Sequence, residues 1–287
     1  MGEQSIIVRF AEDGDKEEVL AFTEKTWEWG DYIKYVWDEW LRDPSGKLFV
    51  AEVNNKPVGI LHVKFLPDGC AWLEGLRIHP QFRRRGIASK LNLEVLEYIK
   101  EKKFNTVRLA ITSWNVPSQR LAIKLGFKEI SRWMEFEIKV NKIPKMEKEK
   151  CSFEESNIDF LWRKIIEAEP YTHSNGLIPV SWRWIKFSKE ILNKFIKEKE
   201  IKPLLCNSDL LLYKVEPESK YHEIEFVTTT EPEILLKGLN YLVKVFSFRS
   251  DDFILILVPK GARLAQELQK KGIFETEELI VFEKVIK

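Results

Sequence analysis

Over the first 140 residues, short branched or aromatic runs alternate with apolar positions at helical spacing, and turn signals separate them. Ile6 to Phe10 reads as a strand before a turn near Gly14, and Val19, Leu20, Phe22 and Trp27 fit a helix. Asp31 can cap a second helix, in which Ile33, Val36, Trp37, Trp40 and Leu41 form one apolar stripe before Asp43-Pro44 ends it. Leu48 to Val53 and Val58 to Leu66 flank Asn54-Asn55, which predicts an antiparallel hairpin. A further strand, Trp72 to Ile78, follows Pro67-Asp68-Gly69. Leu91, Leu93, Val95, Leu96 and Ile99 then predict a helix, Val107 to Ile111 a strand, the segment from Pro117 to Leu125-Gly126-Phe127 a helix, and Arg132 to Val140 a strand. The order β-α-α-β-β-β-α-β-α-β predicts an α/β fold with a mixed sheet.

Asn141 to Lys150 is polar, charged and contains Pro144, so residues 141–150 read as a linker between domains at 1–140 and 151–287. Beyond it, helices are expected at Phe160 to Ile166 and Lys189 to Lys197. Strands are expected at Leu210 to Val215, Glu223 to Thr229, Phe253 to Pro259 and Leu279 to Val285, with a helix at Leu235 to Val245. Glu223 to Thr229 stands where Trp72 to Ile78 stood, and Arg263-Leu264-Ala265 to Lys270-Lys271-Gly272-Ile273 resembles Arg120-Leu121-Ala122 to Lys124-Leu125-Gly126-Phe127. A worn repeat of the first domain is the expectation.

A length of 287 residues accommodates two domains, each large enough for its own core. Lys plus Arg (46) and Asp plus Glu (45) nearly cancel, so no overall field favours nucleic acid or an anionic membrane, and any anion site must be local. The three cysteines, Cys70, Cys151 and Cys206, are odd in number and lack metal-ligand spacing, and the four histidines are isolated. No metal is expected, and the cysteines are expected to be reduced. Glu3 and Asp13 interrupt the N-terminus, and the most continuous apolar run is Phe253 to Pro259, so neither secretion nor a membrane span is expected. The expected location is the cytoplasm.

The chemistry concentrates in Arg83-Arg84-Arg85-Gly86-Ile87-Ala88, between the strand ending at Ile78 and the helix that follows. A basic, glycine-containing loop at a helix start can aim several backbone N–H groups at one phosphate, where the helix dipole adds positive charge. Gly86 permits the close turn, Ala88 leaves room for the ligand, and the arginines supply charge to phosphate oxygens. A solvated basic turn is the plain alternative. Neither the Walker A pattern nor the dinucleotide fingerprint is present.

With this loop, the chain resembles the GNAT superfamily of acyl-CoA-dependent N-acetyltransferases. That family's signature is Arg or Gln, two arbitrary residues, Gly, one residue, then Gly or Ala. Asn115 and the later Lys124-Leu125-Gly126-Phe127 also match the family's pattern. The resemblance covers about residues 5 to 140 and suggests a tandem form whose second copy is degenerate. It implies that the fourth and fifth strands splay apart around acetyl-CoA, with Gly75 a natural place for an irregular backbone. It also implies that the cofactor is held by Leu76, Arg77, Ile78, Arg83, Arg84, Arg85, Gly86, Ile87, Ala88, Ser89, Asn115, Ser118 and Lys124.

The same resemblance implies catalytic roles for Glu74, as a general base acting through water, and for Asn115, as a hydrogen-bonding partner of cofactor or water. An ammonium anchor or a structural partner remains the alternative for Glu74, and a helix-cap or turn role for Asn115. The family's usual thiolate-protonating Tyr is replaced by Ala122, although a thiolate with a pKa of about 8.5 leaves tolerably without help. Tyr32 and Tyr35 are conceivable substitutes, with pocket wall or core as their plainer roles. Trp27, Trp29 and Trp37, with Glu28 and Asp31 beside them, belong to the segment that the resemblance makes the acceptor side, where aromatic faces and carboxylates attract a cationic amine, and core packing is the plainer role for Trp37 and Trp40.

Trp29-Gly30-Asp31-Tyr32, Trp40-Leu41 and Glu74-Gly75-Leu76-Arg77 are also similar to a subgroup that includes histidine N-acetyltransferases, which suggests a free amino acid or other small primary amine as acceptor. A protein or peptide N-acetyltransferase and a non-catalytic acyl-CoA-binding module are the competing readings. A monomer or homodimer is expected. In the second domain, Thr229-Thr230-Glu231-Pro232-Glu233 offers carboxylates where a pyrophosphate needs donors, so no cofactor site is expected there.

Overall fold

The computed structural model describes residues 5–24, 26, 30–146, 150–154, 157–214 and 219–286. The chain forms two compact units, one of Met1–Leu109, Val116–Lys128 and Phe282–Lys287, the other of Ala110–Asn115 and Glu129–Val281.

The first half of the chain runs β1 (Ile6–Phe10), α1 (Lys16–Thr23), α2 (Ile33–Leu41), β2 (Gly46–Val53), β3 (Lys56–Phe65), β4 (Cys70–Ile78), α3 (Ile87–Glu101), β5 (Thr106–Thr112), α4 (Val116–Lys124) and β6 (Lys128–Lys139). In the first unit the strands lie in the order β1-β2-β3-β4-β5, antiparallel up to β4 and parallel from β4 to β5. Asn54 and Asn55 both take positive φ, 51° and 61°, the conformation a two-residue hairpin turn requires. The stripe of α2 buries Ile33, Trp37 and Trp40 against Val19 and Phe22 of α1 and Leu48, Val50 and Ile60 of the sheet. Tyr35 lies off that stripe and is 77% exposed, so it is not part of the core. On α3, Leu91, Val95 and Ile99 are fully buried.

The chain continues as β7 (Cys151–Phe153), α5 (Ile158–Ile166), α6 (Glu169–His173), β8 (Leu177–Val180), β9 (Arg183–Lys186), α7 (Lys189–Lys197), β10 (Lys202–Cys206), β11 (Asp209–Lys214), β12 (Tyr221–Val227), α8 (Pro232–Phe246), β13 (Phe253–Pro259), α9 (Arg263–Lys271) and β14 (Glu275–Val285). The sheet of the second unit has the order β14-β6-β13-β12-β11-β10-β7, and β8-β9 is a separate hairpin. Val215, at the end of the expected strand from Leu210, lies outside the described residues. The core gathers Phe136 and Ile138 of β6 with Leu235, Leu239 and Leu242 of α8 and Leu264 and Leu268 of α9.

The two halves repeat one connection. In each, an antiparallel strand pair with a register shift leads through a 15-residue helix to a parallel partner: β3-β4-α3-β5 and β11-β12-α8-β13. The compact units interleave along the chain. Residues from Glu129 pack in the second unit, where β6 pairs antiparallel with β13 from Lys139↔Phe253 to Trp133↔Pro259. Residues from Phe282 pack in the first, where β14 neighbours β5 and the Ile286 N–H donates to the Asn105 carbonyl at 2.9 Å.

The expectation of three reduced cysteines is corrected. Cys151 and Cys206 are directly opposed across the antiparallel β7–β10 pair and form a disulfide, while Cys70 is free and buried. The cysteine pattern therefore gives no argument for a reducing compartment. Among the described residues no helix is long and apolar enough to cross a membrane.

The disulfide joins positions 55 residues apart, so it should stabilise the folded chain by about 4 kcal/mol through lost unfolded-state entropy. Thiol titration in denaturant should count one thiol per chain without reductant and all three cysteines after reduction. Three thiols in the unreduced protein would contradict the pairing.

Candidate active site

The middle of β4 departs from regular strand geometry. Its pairing with β3 passes from His62↔Glu74 to Ile60↔Arg77, so Gly75 and Leu76 face Leu61 alone, a bulge in β4. Gly75 sits at φ +72°, and a Cβ there would lie 2.4 Å from the Trp40 ring, so both backbone conformation and space require glycine. The parallel register with β5 covers only Cys70↔Thr106, Ala71↔Val107 and Trp72↔Arg108. Leu73 to Ile78 continue along β3, with Glu74, Leu76, Arg77 and Ile78 half-buried.

Around this bulge the first unit gathers a buried polar array. The His62 ring, with no exposed surface, has Nδ1 2.9 Å from Glu74 Oε1 and Nε2 3.5 Å from Asp43 Oδ2. Lys64 Nζ donates to both Asp43 oxygens at 2.7 and 2.8 Å. Burial pushes the Asp43 carboxyl up, but hydrogen bonds from His62, Lys64 and the Ser45 N–H outweigh it and hold the group well below the usual carboxylate range. Trp40 stacks on His62, ring centres 4.6 Å apart and planes 5° from parallel. Beside them Arg77 donates to buried Asp31, Nε to Oδ2 at 2.6 Å and the terminal nitrogen to Oδ1 at 3.2 Å. Asp31 Oδ1 also accepts the Ile33 N–H at 3.2 Å, serving the start of α2 as the sequence suggests. Tyr32 lies over the Arg77 guanidinium.

His62 was not among the residues singled out from the sequence. Folding β3 and β4 about Asp68, the middle of Pro67-Asp68-Gly69, puts Lys64 opposite Trp72 and His62 opposite Glu74, so hairpin register was the signal available.

At the end of β4, Pro80–Phe82 form a short 3-10 turn, and Arg83, Arg84, Arg85 and Gly86 are exposed. Gly86 takes φ +80° and directly precedes α3, whose first turn carries no acidic residue. A Cβ at Gly86 would meet nothing within 4 Å, so the demand for glycine there is conformational. Arg84 is likewise left-handed, at φ +63°. Arg83 Nε donates back to the Ile78 carbonyl at 3.1 Å, and the Arg85 guanidinium lies over the Phe82 ring. The first N–H groups of an α-helix lack intrahelical acceptors. Ile87, Ala88 and Ser89 therefore present donors beside three cations, a donor set that fits a pyrophosphate.

Ser118 is half-buried on α4 and Lys124 is exposed in its last turn, both in the first unit. Asn115 belongs to the second unit, half-buried, with its N–H on the Thr112 carbonyl at 3.0 Å. Ala122 is buried. Trp27, Glu28 and Trp29 lie outside the described residues. In the second unit the corresponding helix start is different in kind: the Glu231 N–H is taken by Thr229 Oγ1 at 3.1 Å, Pro232 has no N–H, and Glu233 occupies the first turn of α8.

Residues 16–127 match the acetyltransferase (GNAT) family. An uncharacterized N-acetyltransferase of Methanocaldococcus jannaschii is 31% identical over an alignment covering 34% of this chain and 48% of its own. A histidine N-acetyltransferase of Oreochromis niloticus is 29% identical over 32% of this chain and 28% of its own. The chain thus spans less than half the length of these curated relatives. A solved tandem GNAT protein from the clavulanic acid biosynthesis pathway matches the fold with TM-score 0.62 over 98% of both chains at 11% identity.

Proposed function

We propose that this protein, whose residues 16–127 match the acetyltransferase (GNAT) family, is an N-acetyltransferase that moves an acetyl group from acetyl-CoA to the primary amine of a small molecule. The observation that carries the reading is a conjunction in one unit. A strand leaves its parallel partner at Trp72, presents Glu74 two residues on, and ends in a basic loop at a bare helix start. In this reading residues 1–140 are the catalytic domain and 151–287 a degenerate copy without a cofactor site, since Glu231, Pro232 and Glu233 put two carboxylates and a tertiary amide without an N–H where donors are needed.

Acetyl-CoA, when bound, supplies a thioester carbonyl as the acyl donor. Backbone N–H groups from Arg84 to Ser89 and the flanking arginines would hold its pyrophosphate, and the main chain of Leu76 to Ile78 would bind the pantetheine arm. Glu74 takes the proton from the acceptor's ammonium, directly or through water, so that the neutral nitrogen can form its bond to the acyl carbon as the carbon–sulfur bond breaks. Direct transfer fits the cysteine chemistry, because burial pushes the Cys70 thiol up to about 12 and keeps it a protonated non-nucleophile at neutral pH. The relative named a histidine N-acetyltransferase supports an amino acid as the first acceptor class to test.

Gly86→Trp should weaken coenzyme A binding at least tenfold in calorimetric titration while the circular dichroism spectrum is retained, because a bulky side chain would fill the phosphate position. Unchanged affinity in the folded variant would move the pyrophosphate elsewhere. Glu74→Gln should lower turnover by about 10² or more, read as free-thiol release from acetyl-CoA across amino acids, polyamines, aminoglycosides and peptides, with coenzyme A affinity within about twofold. Full turnover in that variant would assign the base to another group.

A further inference from the structure

We propose that His62, flanked by Asp43, is a positioning residue for Glu74: its Nδ1–H donates to Oε1 of that carboxylate and fixes the orientation in which it receives the acceptor's proton. The inference rests on the reading of Glu74 as general base.

Three features separate this array from ordinary hairpin packing. His62 has no exposed surface, and its ring plane is set by parallel stacking on Trp40, so the Nδ1–H has one direction in which to point. That direction is Glu74 Oε1 at 2.9 Å. An ionised carboxylate is acceptor-only, which puts the Nδ1 proton on the histidine.

The far nitrogen, Nε2, is buried 3.5 Å from Asp43 Oδ2, at ion-pair distance. An apolar residue would stack on Trp40 without the cost of burying two ring nitrogens, and here each nitrogen faces a carboxylate. The charged groups facing the ring are Asp43, from the turn after α2, and Glu74, from β4, and Lys64 of β3 is bonded to Asp43.

Two glycines keep the space clear. A Cβ at Gly46 would come within 2.5 Å of Asp43 Oδ2 and 2.8 Å of His62 Nε2, and one at Gly75 would strike the Trp40 ring that holds the histidine plane. Gly46, Trp40, His62 and Gly75 come from the start of β2, from α2, from β3 and from the β4 bulge, and they converge on the orientation of one carboxylate. Proton acceptance through a fixed geometry is sensitive to such orientation, whereas cofactor binding at the α3 start does not involve it.

The test uses the full-length protein, acetyl-CoA and the amine turned over fastest in the acceptor panel. His62→Ala and His62→Gln are each made in the wild-type and in the Glu74→Gln background, with melting curves to confirm folding. His62→Ala should lower kcat by roughly tenfold to a hundredfold. The acetyl-CoA dissociation constant should stay within about twofold, and His62→Gln, whose amide can still donate to Glu74, should recover part of the rate. In the Glu74→Gln background, loss of His62 should cost little more, since the two act as one unit.

Wild-type kcat in folded His62→Ala would overturn the inference, and so would a His62 effect that multiplies in full with that of Glu74→Gln. If His62→Ala does not fold, the His62→Gln pair of backgrounds decides by the same criterion. A slow Glu74→Gln variant combined with unaffected His62 variants sinks only this inference, whereas an unaffected Glu74→Gln variant sinks the base assignment and this inference with it.

Discussion

The separation of β4 from β5 is the constraint on which the rest of the first unit depends. Two parallel strands share a register for three residues and then part. The paired end is pinned: Arg108 of β5, buried, donates to Asp68 in the β3–β4 turn at 2.5 Å and to Glu283 of β14 at 2.7 Å. Buried main-chain polar groups must find partners. A strand that leaves its neighbour must therefore be supported from its other side, and the bulged β3–β4 ladder through Gly75 gives that support. The regular register from the turn sets Glu74 against His62, and the bulge follows directly, after which the strand runs on to Ile78 and the arginine loop.

The repeated connection shows how little of a fold dictates chemistry. α3 and α8 are both 15-residue crossover helices after a register-shifted strand pair. One begins after a left-handed glycine, with no acid in its first turn and three arginines before it; the other begins with Pro232 between two glutamates. The cores of both units remain long, apolar and buried. Both halves pack a crossover helix on a sheet, and among the described residues it is the start of α3 that has the glycine and the arginines suited to an anion.

Local signals were legible in the sequence and non-local ones were not. Asn54-Asn55 gave the hairpin because two left-handed residues are needed there, and Lys189 to Lys197 and Phe253 to Pro259 form the helix and strand expected of them. Gly75 marked the irregular backbone. Three pairings depend on which strands become neighbours, and no single segment states that. They are the disulfide across β7 and β10, the docking of β6 on β13, and the placing of the end of β14 beside β5. His62 lay between these cases: the hairpin that sets its partner was read, but the register within it was not followed. The short elements between Pro170 and Ile185 escaped because β8 and β9 have only four residues each, too few for a period to show.

If the proposed reading holds, acetyl-CoA binds at the start of α3 and not at the start of α8. Calorimetric titration of the full-length protein with coenzyme A should therefore count one binding site per chain; two equivalent sites, or no binding, would refute it.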